Sequence, residues 1–176
     1  DLASAIELLG EASGGELTVR AGAVRARISA RTVFRYFANR DAFLEAVATE
    51  VTSHMDMPPN PGTMEELLNY PDTLYCRFEA KAALTKAALH TELFPRMRNA
   101  QAQQRWEAVR KIIDAHAPQR SEHDRKLAAA NIRYFLSATT WHYYRFYFAF
   151  GLGETIECAR TAVRQAVGGL GRRRKA

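Results

Sequence analysis

The chain has 176 residues, a formal net charge of +6 at pH 7 and 47% hydrophobic residues, values typical of a soluble globular protein with a substantial core. Cys76 and Cys158 stand far apart and outside any CxxC spacing, which excludes a zinc ribbon and a disulfide framework. No signal peptide opens the chain, and its most apolar stretch, residues 134–150, is too short and too polar for a membrane span. We therefore expect a cytoplasmic protein that does not enter a membrane.

Helical periodicity runs through the first forty residues, and strand alternation is nearly absent. Residues 3–12 predict a first helix, which ends before Gly14 and Gly15. Thr18 is a favourable N-cap for a second helix, and Ser29 is one for a short third helix. This segment is therefore expected to form a compact unit of three helices.

A fourth helix and a longer helical region follow. Asn39 is the expected N-cap of the fourth helix, whose apolar residues repeat at the spacing of one buried face. Residues 57–62 contain three prolines and a glycine and form the clearest break in the chain. Further helices are predicted over residues 63–69, 72–79, 82–90, 94–116, 121–149 and 153–169. The predicted fold class is therefore all-α.

The segment from Thr18 to Phe43 carries the strongest functional signal. It holds six arginines and no acidic residue before Asp41. These arginines are Arg20, Arg25, Arg27, Arg31, Arg35 and Arg40. A folded, one-sided arginine surface with hydroxyl groups among the charges is typical of DNA-binding proteins. The alternative is that the arginines only solvate an exposed face, and this is the better interpretation for Arg25 and Arg27.

The predicted third helix separates its apolar and basic residues. On a helical wheel Arg31, Thr32, Arg35 and Tyr36 fall on one side. The opposite side is apolar and consists of Ala30, Val33, Phe34 and Phe37. Two short helices joined by a tight turn, the second basic on one face, match the description of a helix-turn-helix. The second helix of that motif enters the major groove of DNA.

Residues of this segment also resemble the N-terminal domain of TetR-family transcriptional regulators, over about residues 2–50. The resemblance rests on Thr18-Val19-Arg20, Ala23, Ile28-Ser29, Thr32, Phe34, Phe37 and Arg40-Asp41-Ala42-Phe43-Leu44. It implies that Thr18 and Arg20 contact the DNA backbone at the start of the second helix. Arg40 stands where the family commonly has a phosphate-binding lysine.

The same resemblance assigns the base-reading positions. Arg31 and Thr32 match positions that reach base edges or nearby phosphates, and Arg35 and Tyr36 match positions that contact bases and phosphates. The helical wheel favours the same four side chains. They are therefore the predicted reading surface for an operator in double-stranded DNA.

Three residues depart from the family pattern. Gly22 stands where a branched apolar residue is usual, which weakens the second helix by up to about 1 kcal/mol. Arg27 occupies the usual place of a glycine in the turn, where a positive φ would be costly for arginine. Phe34 replaces the usual tyrosine and so loses one hydroxyl contact to phosphate. These departures bear on DNA affinity and leave the basic face intact.

The resemblance further implies an organisation into three parts. Residues 1–50 are the expected helix-turn-helix DNA-binding domain. Residues 51–170 are the expected effector-binding and dimerisation bundle, followed by a basic tail over 171–176. Homodimers of this family form through the last two long helices. The predicted helix over 134–150 is apolar nearly all round, which favours burial on both sides, either as a central core helix or against a second subunit.

A ligand cavity among the bundle helices is also implied by the resemblance. Its candidate lining residues are Phe78, Trp106, Trp141, His142, Tyr143 and Tyr147. These side chains favour a small, mostly apolar or aromatic effector. Aromatic residues at helical spacing are, however, often plain core residues.

The competing functions are of different classes. The favoured one is a ligand-responsive transcriptional regulator, most simply a repressor released from its operator by the effector. The second is a small-molecule binding bundle whose basic N-terminal unit is not a specific DNA reader. No catalytic constellation, nucleotide-binding fingerprint or metal-ligand spacing occurs in the sequence, so an enzyme, a cofactor and a metal site are not expected.

Overall fold

The computed structural model describes Arg31 and residues 35–171. In this part of the chain the secondary structure is helical and no strand occurs, so the predicted all-α fold is confirmed. The helices are α1 (Arg40–Met55), α2 (Met64–Ala80), α3 (Ala82–Leu89), α4 (Leu93–Ala100), α5 (Ala102–His116), α6 (Glu122–Phe135), α7 (Ala138–His142) and α8 (Leu152–Gly171), with a π-helical turn at Tyr143–Tyr147. The predictions for residues 1–30, 32–34 and 172–176 lie outside the described residues.

Contacts divide the chain into two compact units. Helices α1, α3 and α4 belong to the first unit. Helices α2, α5, α6, α7 and α8 belong to the second. Residues 81–100 therefore belong to the first unit, although they follow α2 of the second unit in the chain. The sequence analysis expects a single boundary at residue 50.

Helix α1 organises the core of the first unit. Asn39 is its N-cap and accepts a hydrogen bond from the backbone N–H of Ala42 at 2.8 Å, as the sequence predicts. Its buried face consists of Phe43, Leu44, Val47, Ala48, Val51 and Met55. Ala87 of α3 and Leu93 of α4 complete this cluster. The predicted fourth helix is therefore confirmed with its core face.

The second unit has a larger core around an aromatic centre. Trp141 and Tyr75 are fully buried, together with aliphatic side chains from the long helices. The Tyr75 hydroxyl donates to the Phe135 carbonyl oxygen at 2.6 Å, which satisfies a polar group inside the core. Helix α8 packs against both α2 and α6. Helical spacing predicts one apolar stripe on this helix, formed by Ile156, Ala159, Val163, Ala166, Val167 and Leu170. Of these residues, Ala159, Val163, Val167 and Leu170 are buried.

Three predicted helix boundaries are wrong. Pro71 lies inside α2 rather than at its start, because Leu67 and Leu74 are buried on either side of it and this packing outweighs the cost of proline. The predicted helix over 94–116 is two helices with a break at Gln101. The predicted helix over 121–149 ends at Phe135, and a new helix begins after it.

The aromatic segment 134–150 is not buried on both sides. Ser137 accepts a hydrogen bond from the backbone N–H of Thr140 and starts α7 in a new direction, which breaks the predicted apolar stripes. Trp141 is fully buried, whereas 62% of Tyr134 and 70% of Tyr147 are exposed. The interpretation as a central core helix is therefore wrong for the outer aromatic residues, and contact with a second subunit stays a prediction.

Candidate nucleic-acid interface

Three side chains of the predicted reading surface are described, and all three are exposed. Arg31, Arg35 and Tyr36 have helical backbone conformation. The Arg35 guanidinium lies over the Tyr36 ring, 5.2 Å from its centre, and donates to the Tyr36 hydroxyl at 3.3 Å. The side chains of Arg35 and Tyr36 therefore form one joint polar surface.

This surface carries positive charge without local compensation. Among the described residues, no carboxylate lies at ion-pair distance from Arg31 or Arg35. An exposed guanidinium keeps its donors available for the paired oxygens of a phosphate or the acceptors of a guanine edge. The arrangement can therefore bind a polyanion and, in a groove, base edges.

Packing behind the surface fixes its position in the first unit. Phe37 follows Tyr36 and meets the ring of Phe43 edge to face, with centres 5.5 Å apart. Phe43 belongs to the buried face of α1, and Asn39 starts that helix between them. The exposed residues are therefore attached directly to a packed core, which preorganises a binding surface.

Arg40 occupies a different setting from Arg31 and Arg35. Its guanidinium donates to the carboxylate of Glu92, which precedes α4. Close by, Arg96 bonds Asp41 at 2.8 Å and Glu45 at 3.2 Å. These ion pairs join the start of α1 to α4. If Arg40 contacts a DNA phosphate, its guanidinium would therefore have to bind the phosphate and Glu92 together.

The remaining predicted DNA contacts cannot be placed beside these residues. Thr18, Arg20 and Thr32 lie outside the described residues. Their roles stay predictions of the sequence.

The six predicted effector-site residues do not form one group. Phe78 and Trp141 are neighbours in the core, with ring centres 5.9 Å apart, and His142 adjoins Trp141. Tyr143 and Tyr147 stack on each other at 4.5 Å on the exposed π-helical turn. Trp106 lies apart on α5 under the guanidinium of Arg110.

Glu79 anchors the aromatic turn to α2. It accepts from the indole N–H of Trp141 at 3.2 Å and from the Arg145 guanidinium at 2.7 Å. The hydrogen bond from Arg145 lowers the pKa of the Glu79 carboxyl, although its partial burial opposes this. Trp141 is thus held as a core residue by both packing and a hydrogen bond.

An open cleft of about 430 Å³ lies between α2 and α8. Its lining includes the Asp72–Arg160 ion pair and the side chains of Glu157, Thr161 and Arg164. None of the six predicted effector residues lines it. Its polar lining differs from the apolar cavity that the sequence predicts.

In the part of the chain that the structure describes, histidine, cysteine and carboxylate side chains nowhere gather in a group of three that could hold a metal ion. Among the helices of the same residues, none combines the length and apolarity that crossing a bilayer requires.

The N-terminal segment belongs to a known class of DNA-binding domain. Residues 2–47 match the family model described as bacterial regulatory proteins, tetR family. The predicted resemblance is thus confirmed for residues 2–47, and this domain supports a DNA-binding transcriptional regulator. Comparisons with curated proteins and with solved structures gave no match.

Proposed function

We propose that this regulator is a ligand-responsive repressor, which binds a palindromic operator as a dimer and is released by a small, mostly apolar effector. The exposed surface of Arg31, Arg35 and Tyr36 carries this proposal. Among the described residues no carboxylate lies at ion-pair distance from its arginines, and the surface lies within the segment that matches the family's DNA-binding domain.

Specific reading requires base contacts in addition to phosphate contacts. In the proposal, Arg31, Thr32, Arg35 and Tyr36 enter the major groove, where an arginine fork pairs with guanine and hydroxyl groups bond nearby phosphates. Thr18, Arg20 and Arg40 hold the backbone on either side of that groove. Backbone contacts fix the register, and the groove contacts select the sequence.

Dimerisation doubles the number of base pairs that are read. The proposed interface uses the last two long helices, α6 and α8. Leu127 and Tyr134 support it, since they are seven residues apart on one face of α6 and are 51% and 62% exposed. Light scattering at micromolar concentration should give twice the chain mass, and a Leu127→Arg, Tyr134→Arg variant should give the mass of one chain. A wild-type monomer would overturn this part.

The effector acts in the proposal by shifting a population between two conformations. An operator-bound dimer holds its reading helices roughly 34–36 Å apart, one turn of DNA. An effector that prefers a conformation with another spacing releases the operator by its differential affinity. Phe78, Trp106, Trp141, His142, Tyr143 and Tyr147 remain the candidate effector contacts.

The proposal is tested by fluorescence anisotropy with DNA from upstream of the chain's own gene and with random DNA of equal length. A specific repressor should prefer the upstream DNA by at least about 1000-fold, and its affinity should fall steeply with salt. Equal affinity for both DNAs would instead favour a small-molecule binding bundle without specific DNA reading. A ligand affinity that is the same with and without saturating DNA would favour the same alternative.

A further inference from the structure

Helices α5 and α6 form an antiparallel hairpin whose loop end carries a closed ionic network. Arg110 bonds Asp114 at 2.9 Å and Glu122 at 2.8 Å. Arg125 bonds the same two carboxylates at 2.8 and 3.1 Å. Each arginine therefore has two acidic partners, and the charges at this end balance.

The opposite end of the hairpin carries two arginines and one acid, the exposed Glu107, which accepts a hydrogen bond from Gln103. Arg105 near the start of α5 and Arg133 near the end of α6 are both partly buried. Arg105 donates to the Gln101 side-chain oxygen at 2.7 Å, and Arg133 has only a 3.5 Å contact with the Leu136 carbonyl oxygen. Among the described residues, neither has a carboxylate at ion-pair distance.

Tyr70 of α2 adds a third helix to this cluster. Its hydroxyl donates to the Pro58 carbonyl oxygen at 3.1 Å. Burial raises the pKa of Tyr70 despite the charges of the two arginines, so the phenol is neutral at pH 7 and supplies no negative charge. The cluster therefore consists of two cationic side chains and one neutral polar side chain.

Helices α5 and α6 pack against each other along the hairpin, and burial opposes the charge of both guanidinium groups at this end. Burial, with the nearby charge of Arg105, lowers the pKa of Arg133 to about 10. Burial also lowers the pKa of Arg105. Both remain charged at pH 7, where two partly desolvated cations without a counter-charge are unfavourable. A bound anion would remove this cost.

We propose that Arg105 and Arg133, beside Tyr70, form a binding site for the oxyanion group, carboxylate or phosphate, of a small molecule. Two guanidinium forks present parallel N–H donors to the paired oxygens of such a group. The site is reachable because all three side chains remain partly exposed. The site itself does not depend on the proposed function. If the bound molecule is also the effector, as the proposed function requires, the effector is an organic anion with an apolar body.

Thermal unfolding of the full chain tests the site. Sodium benzoate and sodium phosphate are titrated separately against sodium chloride at equal ionic strength. Either anion should raise the Tm by about 5–10 °C at a concentration near 100 times its Kd. A response to benzoate alone identifies a carboxylate site, and a response to phosphate alone identifies a phosphate site.

The variants separate site binding from a general salt effect. Arg105→Gln with Arg133→Gln should weaken anion binding at least about 10-fold, while Lys126→Gln, an exposed lysine on α6, should respond as the wild type does. The double variant should not lose Tm in the absence of anion, since it removes unpaired charges. Equal responses in all three proteins, or no response beyond sodium chloride, would overturn the site.

DNA binding measured on the same samples distinguishes the two proposals. If the anion binds and the chain has no specific DNA affinity, the site stands and the repressor proposal fails. If the operator is bound and neither anion has an effect, the repressor proposal stands and the site fails.

Discussion

Arginines without acidic partners among the described residues occur in both units, in opposite surroundings. In the first unit Arg31 and Arg35 are exposed, so water compensates their charge and a polyanion can displace it. In the second unit Arg105 and Arg133 are partly buried, and burial lowers the pKa of each. The first pair suits a long, flexible contact with phosphates, whereas the second suits one small anion.

The difference shows that arginine content alone does not indicate a partner. Arg110 and Arg125 carry the same formal charge as the other two pairs, yet Asp114 and Glu122 neutralise them. Exposure and the distance to the nearest carboxylate decide whether an arginine is available. Both quantities require the folded chain.

The largest effect should come from removing the exposed pair. Arg31→Ala with Arg35→Ala should lower operator affinity about 100-fold, because each removes a phosphate or base contact worth about 1–3 kcal/mol. Arg164→Ala removes an exposed arginine of α8 and should change the affinity less than about twofold. Anisotropy titrations at fixed salt measure both, and similar losses in the two variants would contradict the assignment of the reading surface.

The two ends of the α5–α6 hairpin should respond oppositely to the loss of one arginine. Arg110→Gln leaves Asp114 and Glu122 with one cation fewer and should lower the Tm by about 2–6 °C. Arg133→Gln removes an unpaired cation and should leave the Tm unchanged or higher. Calorimetry in chloride buffer compares them. A larger loss for Arg133→Gln would show that its charge is compensated in solution.

The carboxylate of Glu79, which pairs with Arg145, should make the stability of the fold depend on pH in the acid range. The Arg145 hydrogen bond lowers the pKa of Glu79, so this pair stabilises the fold above the ordinary pKa of a glutamic acid. The contribution is lost as the pH falls through the lowered pKa. Glu79→Gln should lower the Tm by about 1–3 °C at pH 7 and flatten its fall in acid. Parallel pH profiles for wild type and variant would contradict this role.

The smallest effect concerns the paired arginine beside the reading surface. Glu92→Gln removes the carboxylate that bonds Arg40 and should raise DNA affinity about two- to threefold, since an exposed ion pair contributes little and one more cation becomes available to phosphate. Glu107→Gln, a charge-matched change on α5, should leave it unchanged. An unchanged affinity for Glu92→Gln would mean that Arg40 does not contact DNA.

The sequence predicted those features that local chemistry determines. The N-cap at Asn39, the buried face of α1 and the apolar stripe of α8 follow from residue spacing and are confirmed. The boundary at Pro71 was wrong because the burial of Leu67 and Leu74 outweighs the cost of a proline inside the helix. Residue spacing alone does not report this burial. The exposure of Tyr147 was missed for a similar reason, since a bend at Ser137 redirects the segment.

The candidate sites divide in the same way. Arg31 and Arg35 were found because their whole segment lacks acids, a signal that is visible along the chain. Arg105 and Arg133 were missed because they are 28 positions apart (133 minus 105) and Glu107 follows Arg105 two positions later in the sequence. Only the hairpin brings the two arginines to one end.

Selection of bound fragments from genomic DNA, by wild type and by the Arg31→Ala, Arg35→Ala variant, tests the central claim most directly. The wild type should enrich a few fragments that share an inverted repeat with half-sites about one DNA turn apart, and the variant should enrich none of them. A wild-type pool with no shared sequence, or the same fragments in both pools, would contradict operator reading by this arginine surface.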